Sequence, residues 1–270
     1  MTAPEGVAGV FDRAADTYDD VGVPWFEPIA LGLVEELAVQ PGERVLDIGC
    51  GRGAALRPLA LATGPTGHAL GIDLAPRMVE RTAEDLRGLP QVEVRVGDAR
   101  APAVPAASFD VVASSLVLFF MPDPPAALRA WVALLVPGGR IGITTFGTQD
   151  GRWSELDGAF TAYLPPAMLD ARTSGLRGPF ASDEAMEELL VDAGVGGVRT
   201  VHGTVTAAFR DAEHYLAFTW SHGQRGMWEA VPAAERPAVR TLLLERLDPF
   251  RDGDGAIRLE QEVRYTLGQA

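Results

Sequence analysis

Residues 45–53 read Val-Leu-Asp-Ile-Gly-Cys-Gly-Arg-Gly, an apolar run holding one aspartate and then glycine at every second position. A strand, a glycine turn and a helix in that order bring backbone N–H groups and the positive end of the helix beside a nucleotide-like ligand. Gly49, Gly51 and Gly53 allow that ligand close to the backbone, because glycine has no Cβ to hold it off. Dinucleotide enzymes and other nucleotide-cofactor enzymes share the arrangement, so the turn alone does not choose between them.

Around this segment the chain alternates short Val/Leu/Ile-rich runs with amphipathic stretches, the pattern of a parallel sheet covered on both faces. The expected strands are residues 44–48, 68–72, 92–96, 109–114 and 139–145, with helices near 54–62, 76–87 and 124–135. Pro137-Gly138-Gly139 is read as the stop of the last helix. Upstream, the segment from Phe11 to Tyr18 and the apolar pattern of 29–37 read as helices flanking a turn at Pro24, together an N-terminal helical lid. Downstream, 148–181 carries Gly, Pro, Trp153, Phe160 and Tyr163, and Ser182-Asp-Glu then caps a helix running to about Ala193. Residues 198–209 and 257–267 alternate as strands that pair, with a helical cap from 211 to 248 between them.

Composition narrows the function. The formal net charge is −14 with no concentrated basic run, which argues against a phosphate backbone as partner. All 23 basic residues are arginine, so Schiff-base and P-loop lysines are excluded. Cys50 is the single cysteine, which excludes internal disulfides and Cys-rich zinc sites, and no metal is expected. No apolar run reaches the roughly 18 residues of a membrane span. The N-terminus lacks a secretory pattern, and a cytoplasmic location is expected.

Three carboxylates discriminate better than the glycines. A dinucleotide loop wants G-x-G-x-x-G, whereas here the third glycine comes one place early and Ala54 follows it. Asp47, two residues before Gly49, would repel a pyrophosphate but can take an ammonium group, directly or through water. Asp73 ends the second apolar run, where it can accept ribose hydroxyls, a feature that suits NAD equally well, and Asp98 follows the third, where it can accept from an adenine amino group.

With these features the sequence resembles the class I S-adenosylmethionine-dependent methyltransferases, in particular the quinone-pathway and natural-product small-molecule branch. The matching segments run from Phe11 to Tyr18-Asp19, residues 45–53, Gly71-Ile-Asp73-Leu74 with Met78, Gly97-Asp98-Ala99, Phe109-Asp-Val-Val112 and Leu135-Val-Pro-Gly-Gly139. The resemblance implies a Rossmann-like α/β sandwich: a mostly parallel seven-stranded sheet with helices on both faces. It implies a single methyltransferase domain over residues 1–270, divided into a lid (1–42), a cofactor core (43–147), substrate-cap insertions (148–182 and 210–257) and a final strand (258–270). It implies S-adenosyl-L-methionine as cofactor and S-adenosyl-L-homocysteine as product. Asp47, Gly49, Cys50 and Gly51 would hold the methionine end, Asp73, Leu74 and Met78 the ribose and adenine, and Asp98 with Ala99 the adenine edge. Ser114 or Ser115 would border the methyl group, and Tyr18 would close over the methionine carboxylate.

Methyl transfer from a sulfonium asks for alignment, exclusion of water and, for a protonated acceptor, a base. His222, at the helix-breaking Trp220-Ser-His222-Gly-Gln-Arg225, is the first candidate base and His214 the second, whereas His68 and His202 read as structural. Trp25, Trp153, Tyr163, Trp220 and Arg225 are candidates for the acceptor pocket, and Arg152, Arg172 and Arg177 could add charge for an acidic or phosphorylated acceptor. The expected partner is a small-molecule acceptor, with no nucleic acid and no membrane; homo-oligomerisation stays open. Two other readings are a methyltransferase fold that binds the cofactor for a non-methylating reaction such as cyclisation, and an NAD-linked oxidoreductase. The acceptor itself, and whether its carbon, oxygen or nitrogen is methylated, is not encoded in any motif.

Overall fold

The largely apolar run at residues 44–48 forms β1 (Arg44–Ile48), whose last four residues are buried, and it becomes an interior strand of the sheet. This computed structural model describes residues 6–164 and 178–270. β1 pairs in parallel with β2 (His68–Asp73) on one side and β4 (Phe109–Ser115) on the other, Val45 lying opposite both Ala69 and Val111. β3 (Val92–Val96) extends the sheet beyond β2, and β5 (Leu135–Gln149) extends it beyond β4. β6 (Gly196–Phe209) and β7 (Ile257–Gln269) complete the order β3-β2-β1-β4-β5-β7-β6, with β7 antiparallel to both neighbours. The expected mostly parallel seven-stranded sheet is therefore present, and the last two strands pair as the alternation predicts.

Helices cover both faces because parallel strands need crossovers. Among the described residues, α1 (Gly6–Ala14) and α2 (Phe26–Leu37) precede the sheet, and α3 (Leu56–Thr63), α4 (Pro76–Asp85) and α5 (Pro124–Val132) connect its first strands. α6 (Gly151–Asp157) and α7 (Asp183–Asp192) follow β5, and α8 (Ala212–Ser221), α9 (Arg225–Ala230) and α10 (Arg236–Leu247) lie between β6 and β7. Ile29, Leu33 and Leu37 recur every four residues on α2 and are all buried. They sit directly on β5: a Cβ at Gly142 would lie 2.9 Å from Leu33 and from Leu37. Each such aliphatic side chain stabilises the fold by about 1.5–3 kcal/mol. Arg140 of β5 fixes the end of α2 by donating from Nε to Leu37 O at 3.0 Å while its Nη2 meets Glu43 at 2.7 Å. The opposite face packs Trp131 of α5 with Met186 and Leu190 of α7, and the indole of Trp131 donates to Ala99 O at 2.7 Å.

Two local expectations are corrected. The Pro137-Gly138-Gly139 segment does not end a helix; α5 stops at Val132, and the segment lies inside β5 as an irregularity opposite Phe109 and Val111. Proline lacks the N–H that a regular ladder needs, and Gly138 takes φ +80° while its N–H bonds Ala270 O at 2.9 Å, so the strand survives by bulging. The helix expected from Phe11 to Tyr18 ends at Ala14, and Tyr18 falls in the following turn. There Asp19 adopts φ +56° and its carboxylate accepts from the N–H groups of Trp25 and Phe26, each at 3.4 Å, capping α2 from six and seven residues away.

His202 of β6 is structural, as expected. Nε2 lies 2.7 Å from Asp183 at the start of α7, and Nδ1 lies 2.6 Å from Glu262 of β7. These two carboxylates raise its pKa above 6.5. A histidine whose folded pKa exceeds its unfolded one contributes stability that is full below the unfolded value and is lost as pH rises through the folded value. The melting temperature of the wild type should therefore fall relative to His202→Gln as pH is raised from about 6.5, the ordinary histidine pKa; parallel curves for the two proteins would show that the bridge carries no charge.

Candidate functional site

The glycine loop leaves β1 and is bonded at once to β2. Ile72 O accepts from both Gly49 N at 2.8 Å and Cys50 N at 3.0 Å, and Asp73 Oδ2 accepts from Gly51 N at 2.9 Å. Thr82 of α4 closes the far side by donating its hydroxyl to Gly51 O at 2.7 Å. Gly49 has φ +74°, and a Cβ there would meet Val117 at 2.4 Å, so sterics and conformation both demand glycine. Gly51, at φ +49°, has nothing within 4 Å on its Cβ side, the approach a ligand would use.

Asp47 sits behind this loop at 1 % exposure, and its Oδ2 meets no partner. Burial, reinforced by the charge of Asp73, pushes its pKa up to about 7, with the Leu56 N–H at the head of α3 opposing the shift. A buried carboxylate oxygen left bare costs several kcal/mol. An ammonium group would supply the missing partner, which is the fit expected for the amino-acid end of S-adenosylmethionine. Asp73 is also raised by burial, yet it is held firmly: Oδ1 accepts from Ala75 N at 2.8 Å while Oδ2 holds the glycine loop. Both of its oxygens retain lone pairs for ribose hydroxyls.

The remaining expected cofactor residues divide. Cys50 is buried with its sulfur against Gly71, and burial followed by Asp73 and Asp47 holds the thiol well above its usual pKa, so it is a packed thiol. Leu74 is 46 % exposed beside Asp73, as a side chain awaiting a flat apolar partner would be. Met78 instead is fully buried with Ala15 and Ala75 beneath Phe11 and Tyr18, a lid contact and not an open adenine wall. Asp98 follows β3 as expected, but Arg100 occupies its carboxylate, Nε at 2.9 Å from Oδ2 and Nη2 at 2.6 Å, so it does not present a bare acceptor; Ala99 lies beside it. Ser114 is buried and donates to Ile48 O at 3.0 Å, which leaves half-buried Ser115 as the serine at the open end of β4. Next to it Leu116 holds φ +60° while buried, a strain of about 1–3 kcal/mol of the kind that collects at functional sites. No glycine or asparagine in the sequence signals that position.

The lid reaches the site through Tyr18, whose ring stacks on Phe26 at 4.4 Å and 19°. Burial, then Asp19 and Asp73, raise the Tyr18 pKa well above the ordinary phenol value. α1 is tied to the cofactor half and to the cap together. Asp12 accepts from Arg77 N at 2.8 Å, Asp16 takes Arg77 and Arg81, and Arg13 reaches Glu229 of α9 at 2.9 Å.

From the lid an aromatic network continues over the ends of β4 and β5. Trp25 meets Trp153 at 5.6 Å, Phe218 at 6.0 Å and Phe146 at 6.5 Å, and Phe146 stacks on Phe119 at 5.8 Å. His222 lies against Phe218 at 4.2 Å and Phe26 at 5.8 Å and is 8 % exposed. Its Nδ1 donates to Phe218 O at 2.7 Å, so the neutral ring carries its lone pair on Nε2. His214 differs from expectation: Nε2 bonds Val21 O at 2.6 Å, fastening α8 to the loop before α2, and Nδ1 accepts from Arg210 N at 3.2 Å in the turn before α8, so both nitrogens are taken. Three further pocket candidates also serve structure. Tyr163 donates to Glu235 at 2.8 Å, Trp220 stacks on Trp228 at 5.5 Å, and Arg225 pairs with Glu229 at 2.9 Å while covering Trp220. Arg152 pairs with Asp150, while Arg172 and Arg177 lie outside the described residues.

Comparison with known proteins agrees with this architecture. A family described as "Methyltransferase domain" matches residues 46–143, the span from β1 into β5. The chain is 38 % identical over 272 residues to nocamycin O-methyltransferase of Saccharothrix syringae, covering 96 % of this chain and 97 % of that enzyme. It is 42 % identical over 166 residues to aklanonic acid methyltransferase of Streptomyces sp. strain C5, covering 61 % of this chain and 76 % of that one. In fold it is similar to phosphoethanolamine N-methyltransferase 2 of Haemonchus contortus, solved with phosphomonomethylethanolamine and S-adenosylhomocysteine, at a TM-score of 0.60 and 17 % identity over 100 % of this chain and 61 % of that one. A glycine loop anchored to β2, a bare buried carboxylate behind it and near full-length likeness to a methyltransferase converge: the chain belongs to the class I S-adenosylmethionine-dependent methyltransferases.

Proposed function

We propose that this enzyme methylates an oxygen atom of a small, flat, largely apolar acceptor of the natural-product kind, within the aromatic network joining lid and cap. The observations that carry this reading are a buried carboxylate oxygen lacking a partner at Asp47 and a cluster of rings among which His222 lies against Phe26 and Phe218. Oxygen as the methylated atom is supported by the likeness to nocamycin O-methyltransferase. Among the described residues no helix is long and apolar enough to cross a membrane.

Bound S-adenosylmethionine supplies a methyl group already activated by the sulfonium charge, open to in-line displacement. Asp47 and the backbone of Gly49 and Gly51 hold the amino-acid end, Asp73 the ribose, Leu74 the adenine face, and Tyr18 covers the methionine carboxylate. The Trp25, Phe146 and Trp153 rings exclude water and orient the acceptor, work that can provide much of the rate. His222 takes the acceptor proton at Nε2, its ring fixed by the bond from Nδ1 to Phe218 O.

Radiolabelled methyl donor offered with a panel of hydroxylated polycyclic acceptors tests the reaction: label should enter the acceptor as S-adenosylhomocysteine is released. Conversion of acceptor without label transfer would favour the non-methylating alternative. His222→Ala should lower turnover by about 100-fold, the loss typical of a general base, and leave S-adenosylhomocysteine affinity unchanged; an undiminished rate removes His222 from the mechanism.

Asp47 gives a pH signature. Its folded pKa, about 7, lies above the unfolded carboxylate value, so its contribution to stability is present below the unfolded pKa and is lost as pH rises towards 7 and beyond. Ligand-free Asp47→Asn should therefore be more stable than the wild type at about pH 8, by the linkage of one raised carboxylate. Since an ammonium partner needs the ionised form, wild-type affinity for S-adenosylhomocysteine should weaken by up to about tenfold per unit as pH falls below 7. In Asp47→Asn that affinity should be weak and flat with pH. Calorimetric titration across pH checks both, and a sloping curve in the variant would assign the proton elsewhere.

A further inference from the structure

Gln224 stands at the break between α8 and α9, two residues beyond His222, and is 2 % exposed. Its Nε2 donates to Asp157 Oδ1, at the end of α6, at 3.1 Å. A carboxylate oxygen only accepts, so this bond fixes the amide with nitrogen towards Asp157 and carbonyl away from it. The carbonyl oxygen Oε1 is buried and meets no donor. Native folds pair almost all such groups, and an exception calls for an explanation.

The surroundings supply one. α6, which carries Asp157, also carries Trp153 one turn earlier, and Trp153 meets Trp25. The segment that carries Gln224 also carries His222, whose ring lies between Phe26 and Phe218, and a Cβ on the intervening Gly223 would lie 3.4 Å from Phe11 of the lid. A neutral hydrogen-bond acceptor is thus held between two segments, α6 and the α8–α9 break, each of which carries a member of the aromatic network.

We propose that Gln224 is a specificity-determining residue: Oε1 accepts a hydrogen bond from a hydroxyl or N–H group of the acceptor molecule that is separate from the oxygen being methylated. The enzyme thereby selects acceptors carrying a second donor near their nucleophilic oxygen. This deepens the O-methylation reading and rests on it. A neutral amide suits the task, because it recognises a donor without placing a further negative charge beside an oxygen that must lose its proton. A site built around an otherwise unpaired polar atom rejects molecules that fail to pair it, since the atom then stays buried and bare.

The test compares alizarin, a vicinal dihydroxyanthraquinone, with its monohydroxy counterpart, binding to the complex with S-adenosylhomocysteine being followed by tryptophan fluorescence. Wild type should prefer alizarin by about tenfold, equivalent to about 1.4 kcal/mol. Gln224→Met, similar in length but without the carbonyl, should lose the preference while keeping its affinity for S-adenosylhomocysteine. Asp157→Asn provides a second arm that retains Gln224: an asparagine can pair with either end of the amide, so the carbonyl is no longer fixed and the preference should shrink while the melting temperature is kept. Equal binding of the two probes by wild type, or an unchanged preference in either variant, overturns the proposal. Failure of the wild type to bind S-adenosylhomocysteine would count instead against the methyltransferase reading.

Discussion

The site depends on one attachment, the bonding of the glycine loop to the end of β2. Ile72 O takes two consecutive N–H groups of the loop, and the Asp73 carboxylate takes a third, at Gly51. These bonds hold a backbone of positive φ at Gly49 and Gly51, and they fix the Asp73 carboxylate beside it. The same loop buries Asp47 and so raises its pKa. Geometry and electrostatics at the cofactor end thus arise from a single set of contacts between β1, β2 and the turn that joins β1 to α3.

The charge of the site follows from what is paired and what is not. Arg77, Arg81, Arg13 and Arg225 are engaged with carboxylates around the lid and cap, and Arg100 is engaged with Asp98. Asp47 and Asp73 face the loop without an arginine partner. When ionised, these carboxylates suit a ligand with ammonium and sulfonium charges and are unsuited to a pyrophosphate. α1 and the turn after it join two parts of the fold: Asp12 of α1 and Asp16 of the turn hold α4, Arg13 holds α9, and the same turn carries Tyr18. The N-terminal helix is therefore tied at once to α4 and to α9.

Much of the fold could be read from the chain because the relevant signals are local. β1 and β3 fall at the expected residues, and Ser182 caps α7 as its sequence suggests. Burial on both faces makes parallel strands continuous apolar runs, and a run ending in aspartate at successive strand ends needs no distant partner to be seen. The errors arose where distant pairing overrides local propensity. Pro137-Gly138-Gly139 has the chemistry of a helix stop but is drawn into β5 by β4 and by the terminal Ala270, and the helix expected to reach Tyr18 gives way to a turn because Asp19 is needed as the cap of α2.

At the site the division is similar. The sequence by itself determined the cofactor class, since Asp47 and the early third glycine followed by Ala54 lie within a short span whose geometry a strand, turn and helix impose, while Asp73 alone would suit a dinucleotide equally well. Only the tertiary structure decided that both nitrogens of His214 are taken, that His222 donates from Nδ1 to Phe218 O, that Asp98 is taken by Arg100, that Ser114 is spent on Ile48, and that Gln224 holds a bare buried carbonyl. Those are properties of hydrogen-bond partners brought together from separate elements, and a side chain's role in a buried site is set by which of its atoms remain unpaired after folding.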